Sequence, residues 1–259
     1  MQDRNDGRIE LIALEGVPLL HAGDDLVSII LDALARTGLA LQSRDVLVVA
    51  QKIVSKSEGR LVRLDTVEPT RRALELAQIV EKDPRLVEII LRESREVLRM
   101  RAGVIVVEDL RGLVLANAGV DASNVNADGT DGSVLLLPAE PDASAAALRA
   151  ALHARTGRDV GVIINDSIGR AWRNGTVGTA IGVSGLPGLL DLRGTPDLYG
   201  RKLRTTDLGF ADEVAAAASL LMGQAGEGRP VILVRGVPYG RREGNARELL
   251  RPKVLDFFR

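Results

Sequence analysis

The stretch NAGVDASNV, residues 117–125, follows two β-like runs and is itself small, polar and acidic. Gly119 permits a tight backbone turn at this point. Asp121 offers hard oxygen ligands to a cation, and Asn124, three residues later, can donate and accept hydrogen bonds. The stretch therefore indicates a loop between structural elements that carries polar groups for a ligand.

A second stretch, VGVIINDSIGRAWRNG at residues 160–175, has complementary chemistry. Its apolar beginning predicts a strand that delivers Asp166 and Ser167 to a glycine turn. Arg170 and Arg173 follow that turn. An acid at a strand end, a hydroxyl beside it and arginines just after it suit a divalent metal that holds phosphate.

Apolar runs of the β type recur along the chain. They predict strands at residues 9–14, 45–50, 104–107, 113–115, 160–164 and 231–236. Between residues 51 and 59 we predict a polar connection that carries Lys52 and Lys56. Residues 175–192 are rich in glycine and small apolar side chains, which predicts closely packed backbone.

Helices are predicted where capping residues precede apolar positions at helical spacing. Asp25, Thr70 and Pro84 mark three helix starts, and Asp142 is predicted to cap a fourth helix. The predicted helices span residues 26–37, 70–80, 84–95, 142–154 and 211–221, with a partly ordered helix over 243–259. These elements do not alternate as βαβ units do. The fold class is therefore predicted as α+β, with mixed β-sheets, packed helices and two intimately joined subdomains.

Composition excludes several classes of protein. The chain of 259 residues can bury a substantial core, and its net charge of −1 gives no electrostatic basis for binding nucleic acid or an anionic membrane. It contains no cysteine, which excludes disulfides and a thiolate zinc site. The polar first eight residues are unlike a signal peptide, and no apolar run is long enough to span a bilayer. We expect a cytoplasmic protein.

Seven ordered blocks of the sequence together resemble one family. They are GVPLL at 16–20, GDDL at 23–26, VSKSEGR at 54–60, AGVDASNV at 118–125, DS at 166–167, GR at 169–170 and LLMGQ at 220–224. Between residues 9 and 236 the chain resembles the coenzyme F420:L-glutamate ligases, GTP-dependent γ-glutamyl ligases of deazaflavin coenzyme biosynthesis. The resemblance implies one catalytic unit over residues 1–259, without the C-terminal nitroreductase-like domain of some relatives and hence without FMN.

The chain has neither a Walker A motif nor a dinucleotide fingerprint, so a nucleotide would need a family-specific pocket. The resemblance implies that GTP is bound by Val17, Pro18, Leu19, Leu20, Gln51, Lys52, Lys56, Asn124, Met222, Gly223, Gln224, Ala225, Gly226, Glu227, Gly228 and Arg229. Glycines in the last segment let backbone N–H groups approach phosphate, and Lys56 can neutralise phosphate as a point charge. The family often has an uncharged residue at the position of Lys52.

The resemblance also implies a pair of Mg²⁺ or Mn²⁺ ions, with K⁺ as a further candidate ion. The implied ligands are hard oxygen donors, which Mg²⁺ prefers: Asp121, Asp166, Ser167 and Gln224. Some relatives have a glutamate at position 224, and Glu227 lies close enough in sequence to compensate for the weaker, neutral glutamine. We assign catalytic roles to Asp121 and Asp166. We add Arg170 and Arg173, which could hold the precursor's phosphodiester or the incoming carboxylate by bidentate contacts.

The implied reaction is amide formation with L-glutamate. The terminal carboxylate of the glutamate-free precursor, F420-0, attacks the γ-phosphate of GTP, and the amine of L-glutamate then displaces phosphate from the acyl phosphate. A second glutamate can join through the γ-carboxylate of the first. The resemblance further implies a homodimer with the nucleotide near the subunit interface.

Two other functions stay open. One is a related metal- and nucleotide-dependent amide ligase that acts on another phosphorylated carboxylate acceptor. The other is a non-catalytic nucleotide-binding homologue, which the neutral side chain of Gln224 would favour.

Overall fold

The computed structural model describes residues 7–122, 132–240 and 242–257. Its strands are β1 (Glu10–Ala13), β2 (Val46–Ala50), β3 (Leu61–Arg63), β4 (Ser94–Arg101), β5 (Val104–Asp109), β6 (Val114–Ala116), β7 (Ser133–Leu135), β8 (Gly161–Arg170), β9 (Arg173–Ser184), β10 (Leu190–Asp191), β11 (Asp207–Leu208) and β12 (Val231–Arg235). Its α-helices are α1 (Leu26–Arg36), α2 (Gln51–Ser57), α3 (Arg71–Val80), α4 (Pro84–Arg92), α5 (Pro141–Thr156) and α6 (Phe210–Met222). The predicted α+β class is confirmed.

A five-stranded mixed sheet, in the order β1-β12-β2-β8-β9, forms the centre of the molecule. β12 runs antiparallel to β1 and β2, whereas β2 and β8 are parallel. β8 and β9 form a long antiparallel hairpin. β2 and β12 consist almost entirely of valine, isoleucine and leucine and are buried, as expected for strands covered on both faces.

Helices cover both faces of this sheet. Leu47 and Val162 belong to a hydrophobic core shared with α1 and α5. Val48 and Ile163, the next residues along the same strands, belong to a second core under α6. Because successive side chains of a strand point to opposite faces, these two strands hold both cores together.

Glycines in β9 allow the covering helices to approach the sheet closely. A Cβ atom on Gly182 would lie 2.5 Å from the backbone oxygen of Pro141 in α5. On Gly178 it would lie 2.5 Å from the backbone oxygen of Ala215 in α6. Neither position has room for a side chain, so the predicted close backbone packing of this segment is confirmed.

The chain between β2 and β8 forms a second part of the molecule. β4, β5 and β6 make an antiparallel sheet, and β3 pairs with β7. α3 and α4 pack against this sheet through a core that includes Leu76, Ile90 and Ile105. Thr70 and Asp83 cap the two helices by accepting backbone hydrogen bonds, at the starts that the sequence predicted.

A buried charge network ties α4, β5 and the segment before α5 together. The guanidinium group of Arg111 lies 2.8 Å from Glu93 and 3.0 Å from Asp109. Its Nε also donates to the backbone oxygen of Pro138 at 2.8 Å. Arg60 contacts the same Glu93 carboxylate at 3.1 Å. Each buried charge is therefore compensated by a neighbour of opposite sign.

The predicted polar connection over residues 51–59 is wrong, because residues 51–57 form the short helix α2. Ile53 and Val54 point into the core and stabilise it. Lys52 and Lys56 lie four residues apart and so share one side of the helix. A seven-residue helix gives too little periodicity to be recognised in the sequence.

The predicted end of the 160–164 strand is also wrong. β8 continues through Asp166 and Ser167 to Arg170, paired residue by residue with β9. The two strands are joined at Ala171 and Trp172 instead of at a glycine. Cross-strand pairing stabilises this polar, glycine-containing half of the strand against its low intrinsic β-propensity.

Two helix boundaries differ from the predictions. α4 ends at Arg92 because β4 begins two residues later. Asp142 does not cap α5, which starts at Pro141 without a side-chain cap. One carboxylate oxygen of Asp142 instead accepts backbone N–H groups of Val183 and Ala246, at 2.9 and 2.8 Å. It thus fixes β9 and the C-terminal segment to the helix.

The predicted helix over 243–259 is wrong as well. Its described residues contain only short 3₁₀ turns, at Ala246–Leu249 and Lys253–Leu255. Lys253 holds this segment on the second part of the molecule through Glu96 and Glu108, at 2.9 and 3.0 Å. Over the described ranges, no helix combines the length and the apolar character that crossing a membrane requires.

Candidate functional site

A pocket opens where the parallel strands β2 and β8 separate. Their pairing ends at Ala50 and Asn165, because the chain turns into α2 after Ala50 while β8 continues. The notch beside Asp166 is enlarged by the segments at 17–20 and 222–230 into a pocket of about 540 Å³. Crevices at the carboxyl ends of parallel strands are common ligand sites, and this volume suits a small-molecule ligand.

The structure brings most of the residues that the sequence singled out into this one pocket. Its wall includes Val17, Pro18, Leu19, Leu20, Gln51, Lys52, Lys56, Asp121, Asp166, Ser167, Met222, Gly223, Gln224, Ala225, Gly226, Gly228 and Arg229. Asn124 lies outside the described residues. The assignment of these residues to nucleotide and metal stays a prediction. The structure shows that both predicted sets lie in the same pocket.

Asp121 is held in place by its backbone. Its N–H donates to the oxygen of Leu135 at 2.9 Å, and its own oxygen accepts the N–H of Leu135 at 2.8 Å. The side chain is left to point into the pocket, where Oδ2 lies 2.8 Å from Nζ of Lys52. The ammonium group of Lys52 thus forms an ion pair with this carboxylate in the structure.

The Asp166 carboxyl group lies in an environment that disfavours its charge. Removal from water raises its pKa to about 6, and the nearby carboxylate of Asp121 acts in the same direction. The backbone N–H of Ser167, the ammonium of Lys52 and a hydrogen bond from Gln51 act against them. Two carboxylates that repel each other within one pocket would both be stabilised by a cation.

Lys56 lies on the same side of α2 as Lys52. Burial lowers the pKa of its ammonium group, and repulsion by Lys52 lowers it further, against the attraction of Asp121. The pocket wall therefore combines two lysines with two aspartates. A polyphosphate bound with its counter-cation would match both signs of charge.

The side chains present fit a hard divalent cation. Two carboxylates, the Ser167 hydroxyl and the Gln224 amide are oxygen donors suited to Mg²⁺ or Mn²⁺, which retain several water or phosphate ligands. Across the described part of the chain, no three histidine, cysteine, aspartate or glutamate side chains cluster as a metal site. A site of this kind would need phosphate oxygens to complete the coordination shell.

Glu227 does not line the pocket. Its Oε2 accepts the backbone N–H of Ala225 at 2.8 Å. Hydrogen bonds from the N–H groups of Ala225, Glu227 itself and Gln224 lower the pKa of this carboxyl group. In this structure Glu227 therefore stabilises the loop that carries Gln224 and does not face the candidate metal ligands.

Arg170 and Arg173 lie at the tip of the β8–β9 hairpin, and neither is in the pocket wall. They flank Trp172, whose backbone has a φ of 64° and which is 85% exposed. Arg170 donates to the backbone oxygen of Asn174 at 3.4 Å. Within this one chain, the structure does not bring the two arginines to the aspartates.

Several residues of the wall are not among the predicted site residues, including Asn165, Thr176 and Pro230. Asn165 directly precedes Asp166, and the alternation of β8 places it on the face of Ile163, under α6. That alternation was the available signal. A strand that ends at residue 164, as predicted, leaves Asn165 outside this alternation.

The sequence is similar to known proteins over almost its whole length. A family model described as F420-0:Gamma-glutamyl ligase matches residues 16–236. The chain is 48% identical to the coenzyme F420:L-glutamate ligase of Methanothermobacter thermautotrophicus, over 97% of this chain and 99% of that protein. It is 45% identical to the protein of that name from Methanopyrus kandleri, over 98% and 100%, and 43% identical to that from Archaeoglobus fulgidus, over 97% of each. With matches of this extent, the chain belongs to the F420-0:gamma-glutamyl ligase family.

Proposed function

We propose that this protein is a GTP-dependent ligase that adds L-glutamate to F420-0 in coenzyme F420 biosynthesis. The observation that carries the proposal is the single pocket that unites Asp121 and Asp166 with Lys52, Lys56 and the glycine-containing loop after α6. The names of the relatives supply the acceptor and the amino acid, and the pocket supplies charges suited to a nucleotide and its metal.

The proposed reaction has two steps. The terminal carboxylate of F420-0 attacks the γ-phosphorus of GTP, so that an acyl phosphate forms and GDP leaves. The amine of L-glutamate then attacks the acyl carbon, a C–N bond forms, and phosphate leaves while the amine proton passes to phosphate or water. The γ-carboxylate of the added glutamate can enter the same sequence for a second addition.

The residues of the chain bind and orient the groups that react. Lys52 and Lys56 neutralise phosphate, and Val17 and Leu19 provide apolar surface for the base. Asp121 and Asp166, with the oxygens of Ser167 and Gln224, would hold Mg²⁺ or Mn²⁺. The metal would supply electrostatic stabilisation of charge on the transferring phosphoryl group.

The homodimer belongs to the same proposal. Trp172 at the tip of the β8–β9 hairpin is an exposed aromatic side chain, of the kind enriched in interfaces. The tip also carries Arg170 and Arg173, which lie outside the wall of the pocket described above. Their proposed contacts with the precursor or with glutamate would then be made across the interface.

A non-catalytic nucleotide-binding protein is the second candidate function. The observation that favours it is the neutral Gln224 in the pocket wall, together with Glu227 turned onto its own loop. Such a protein would bind GTP and metal without forming GDP.

Mass spectrometry of the product tests the ligase proposal and separates these candidates. We expect purified protein with GTP, Mn²⁺, L-glutamate and F420-0 to yield a product heavier by one glutamate residue. A chelator should abolish turnover, and added Mn²⁺ should restore it, because the metal stabilises phosphoryl charge. GTP binding without any change in precursor mass would contradict the ligase and support the binding protein. An acceptor other than F420-0 would indicate a related amide ligase.

Replacing Lys56 with alanine is expected to raise KM for GTP about tenfold, because the loss of a charged contact to phosphate weakens binding. The free energy of unfolding should change little, since burial and Lys52 already disfavour this ammonium group. Steady-state kinetics and urea unfolding measure the two effects. Lys202→Ala, at an exposed position outside the pocket wall, is the control. Unchanged KM and kcat in Lys56→Ala would show that Lys56 is an ordinary surface lysine with no role in GTP binding.

A further inference from the structure

Asn165 is a buried polar residue to which the proposed reaction gives no role. Its side chain is only 5% exposed, and Nδ2 donates to Sδ of Met222 at 3.4 Å. No donor from the described ranges reaches its buried Oδ1. Thioether sulfur is a weak acceptor, so most of the hydrogen-bonding capacity of this carboxamide is unused. Because a buried oxygen without a donor destabilises the fold, structure alone does not explain an asparagine here.

The position of Asn165 is as specific as its chemistry. It is the last residue of β8 that pairs with β2, and the pairing of β8 with β9 shifts register between Ile164 and Asn165. The extra residue is Ile181 of β9, because Ile164 pairs with Gly182 and Asn165 with Ala180. Bulges of this kind are common beside active sites. Asn165 lines the pocket, and the next residue, Asp166, carries one of the two carboxyl groups in the pocket wall.

Met222, the partner of Asn165, is the last residue of α6. Gly223 follows with a φ of 72°, which turns the chain out of the helix and into the loop of residues 223–229. Most of that loop is exposed, although several of its residues line the pocket. The contact between Asn165 and Met222 therefore joins the strand that carries Asp166 to the start of the loop.

The geometry points to Asn165 as a positioning residue for nucleotide binding. It links β8 to the loop through Met222, and its Oδ1, which is enclosed beside Gly178 and Ser219, accepts a hydrogen bond once the loop shifts on loading of the pocket. The inference rests on the proposed function. The donor is an N–H or O–H group from one of two sources, the loop backbone as it closes or the nucleoside part of the ligand. Tripolyphosphate, which has no ribose and no base, distinguishes them.

The test is Asn165→Leu, which has a similar shape and no hydrogen-bonding group. The melting temperature of the free protein should stay equal or rise, because an unpaired buried oxygen is removed. The Kd for GDP in the presence of Mn²⁺ should rise about tenfold, the effect of about one lost hydrogen bond. KM for GTP should rise in parallel, whereas kcat at saturating GTP should change by less than about threefold.

Hydrogen exchange of residues 222–229 supplies an independent readout. Saturating GDP and Mn²⁺ should protect this loop in the unchanged protein and protect it less in Asn165→Leu. If the protection of the loop in Asn165→Leu is reduced equally with tripolyphosphate and Mn²⁺, the donor is in the loop. If the protection is reduced with GDP and not with tripolyphosphate, the donor is in the nucleoside. Ser219→Ala is the matched control, because Ser219 also packs beside Gly178 but its hydroxyl donates within α6, to Ala216.

A wild-type Kd together with wild-type loop protection in Asn165→Leu would overturn the inference while leaving the proposed function intact. If leucine prevents folding, Asn165→Ser, a smaller polar replacement, is measured in the same way. A serine variant with a lower melting temperature but an unchanged Kd would show a purely structural role and would also overturn it. Failure of the unchanged protein to bind GDP would contradict the proposed function itself, and this inference with it.

Discussion

Asp166→Asn is expected to lower kcat by about a hundredfold or more, because it removes a charged contact at the site of phosphoryl transfer. Asparagine is nearly isosteric with aspartate and carries no charge. Burial and the Asp121 carboxylate already disfavour a charge at Asp166, so the melting temperature of the free protein should be preserved or slightly raised. The extra stability that Mn²⁺ and GDP give the unchanged protein should disappear, since a ligand stabilises the folded state only when its concentration exceeds its Kd.

Asp197→Asn is the matched control for this experiment. Asp197 caps an exposed turn by accepting the backbone N–H groups of Tyr199 and Arg201, at 2.8 and 2.9 Å. Asparagine caps nearly as well as aspartate, so this variant should keep both activity and stability. If Asp166→Asn behaved like Asp197→Asn and retained near-normal turnover, Asp166 would be no metal ligand.

The second large effect is expected on stability. Arg111→Ala should lower the free energy of unfolding by about 3–5 kcal/mol, because it leaves the buried Asp109 carboxylate without the Arg111 guanidinium group and leaves Glu93 paired with Arg60 alone. Asp109 is fully buried, and burial raises the pKa of its carboxyl group even with Arg111 in place. Urea unfolding followed by circular dichroism measures the loss.

Arg63→Ala is the control for the charge network. Arg63 pairs with Asp65 on the surface, where both side chains are largely exposed, and removal of such a pair should cost about 0–1 kcal/mol. Asp109→Asn in the Arg111→Ala background should recover part of the loss, because it removes one uncompensated charge. Equal destabilisation by Arg111→Ala and Arg63→Ala would show that the network contributes no more than a surface pair.

The elements that the sequence predicts well are those that are specified by residues adjacent in the chain. Asp25 caps α1 by accepting the N–H groups of Val27 and Ser28, and both the cap and the apolar spacing after it are visible in the sequence. The valine-rich runs of β2 and β12 could be predicted for the same reason. Such elements need no knowledge of their neighbours.

The elements that were missed depend on distant partners. The second half of β8 is polar, and only its pairing with β9 makes it a strand. Asp142 has the sequence context of a helix cap. Its carboxylate oxygen instead accepts backbone N–H groups from β9 and from the C-terminal segment, 41 and 104 residues away. Local patterns cannot show which distant donor reaches a side chain.

The family resemblance names most residues of the pocket wall, but it names residue types without their geometry. What no block indicated is that Lys52 contacts Asp121, or that Asn165 is buried beside Asp166. Both facts depend on the short helix α2 and on the uninterrupted strand β8. The electrostatics of the site therefore follow from the two segments whose structure was mispredicted.

The place of β12 in the central sheet has a consequence for how the protein is made. β12 lies between β1 and β2, so those two early strands cannot pair with each other and must await a segment about 180 residues further along than β2. During translation, the second part of the molecule, built from local hairpins and helices, can fold while the ribosome is still synthesising the rest. The pocket cannot, because its glycine-containing wall immediately precedes β12. A nascent chain therefore acquires this pocket in one late event, when the last strand of the sheet has emerged.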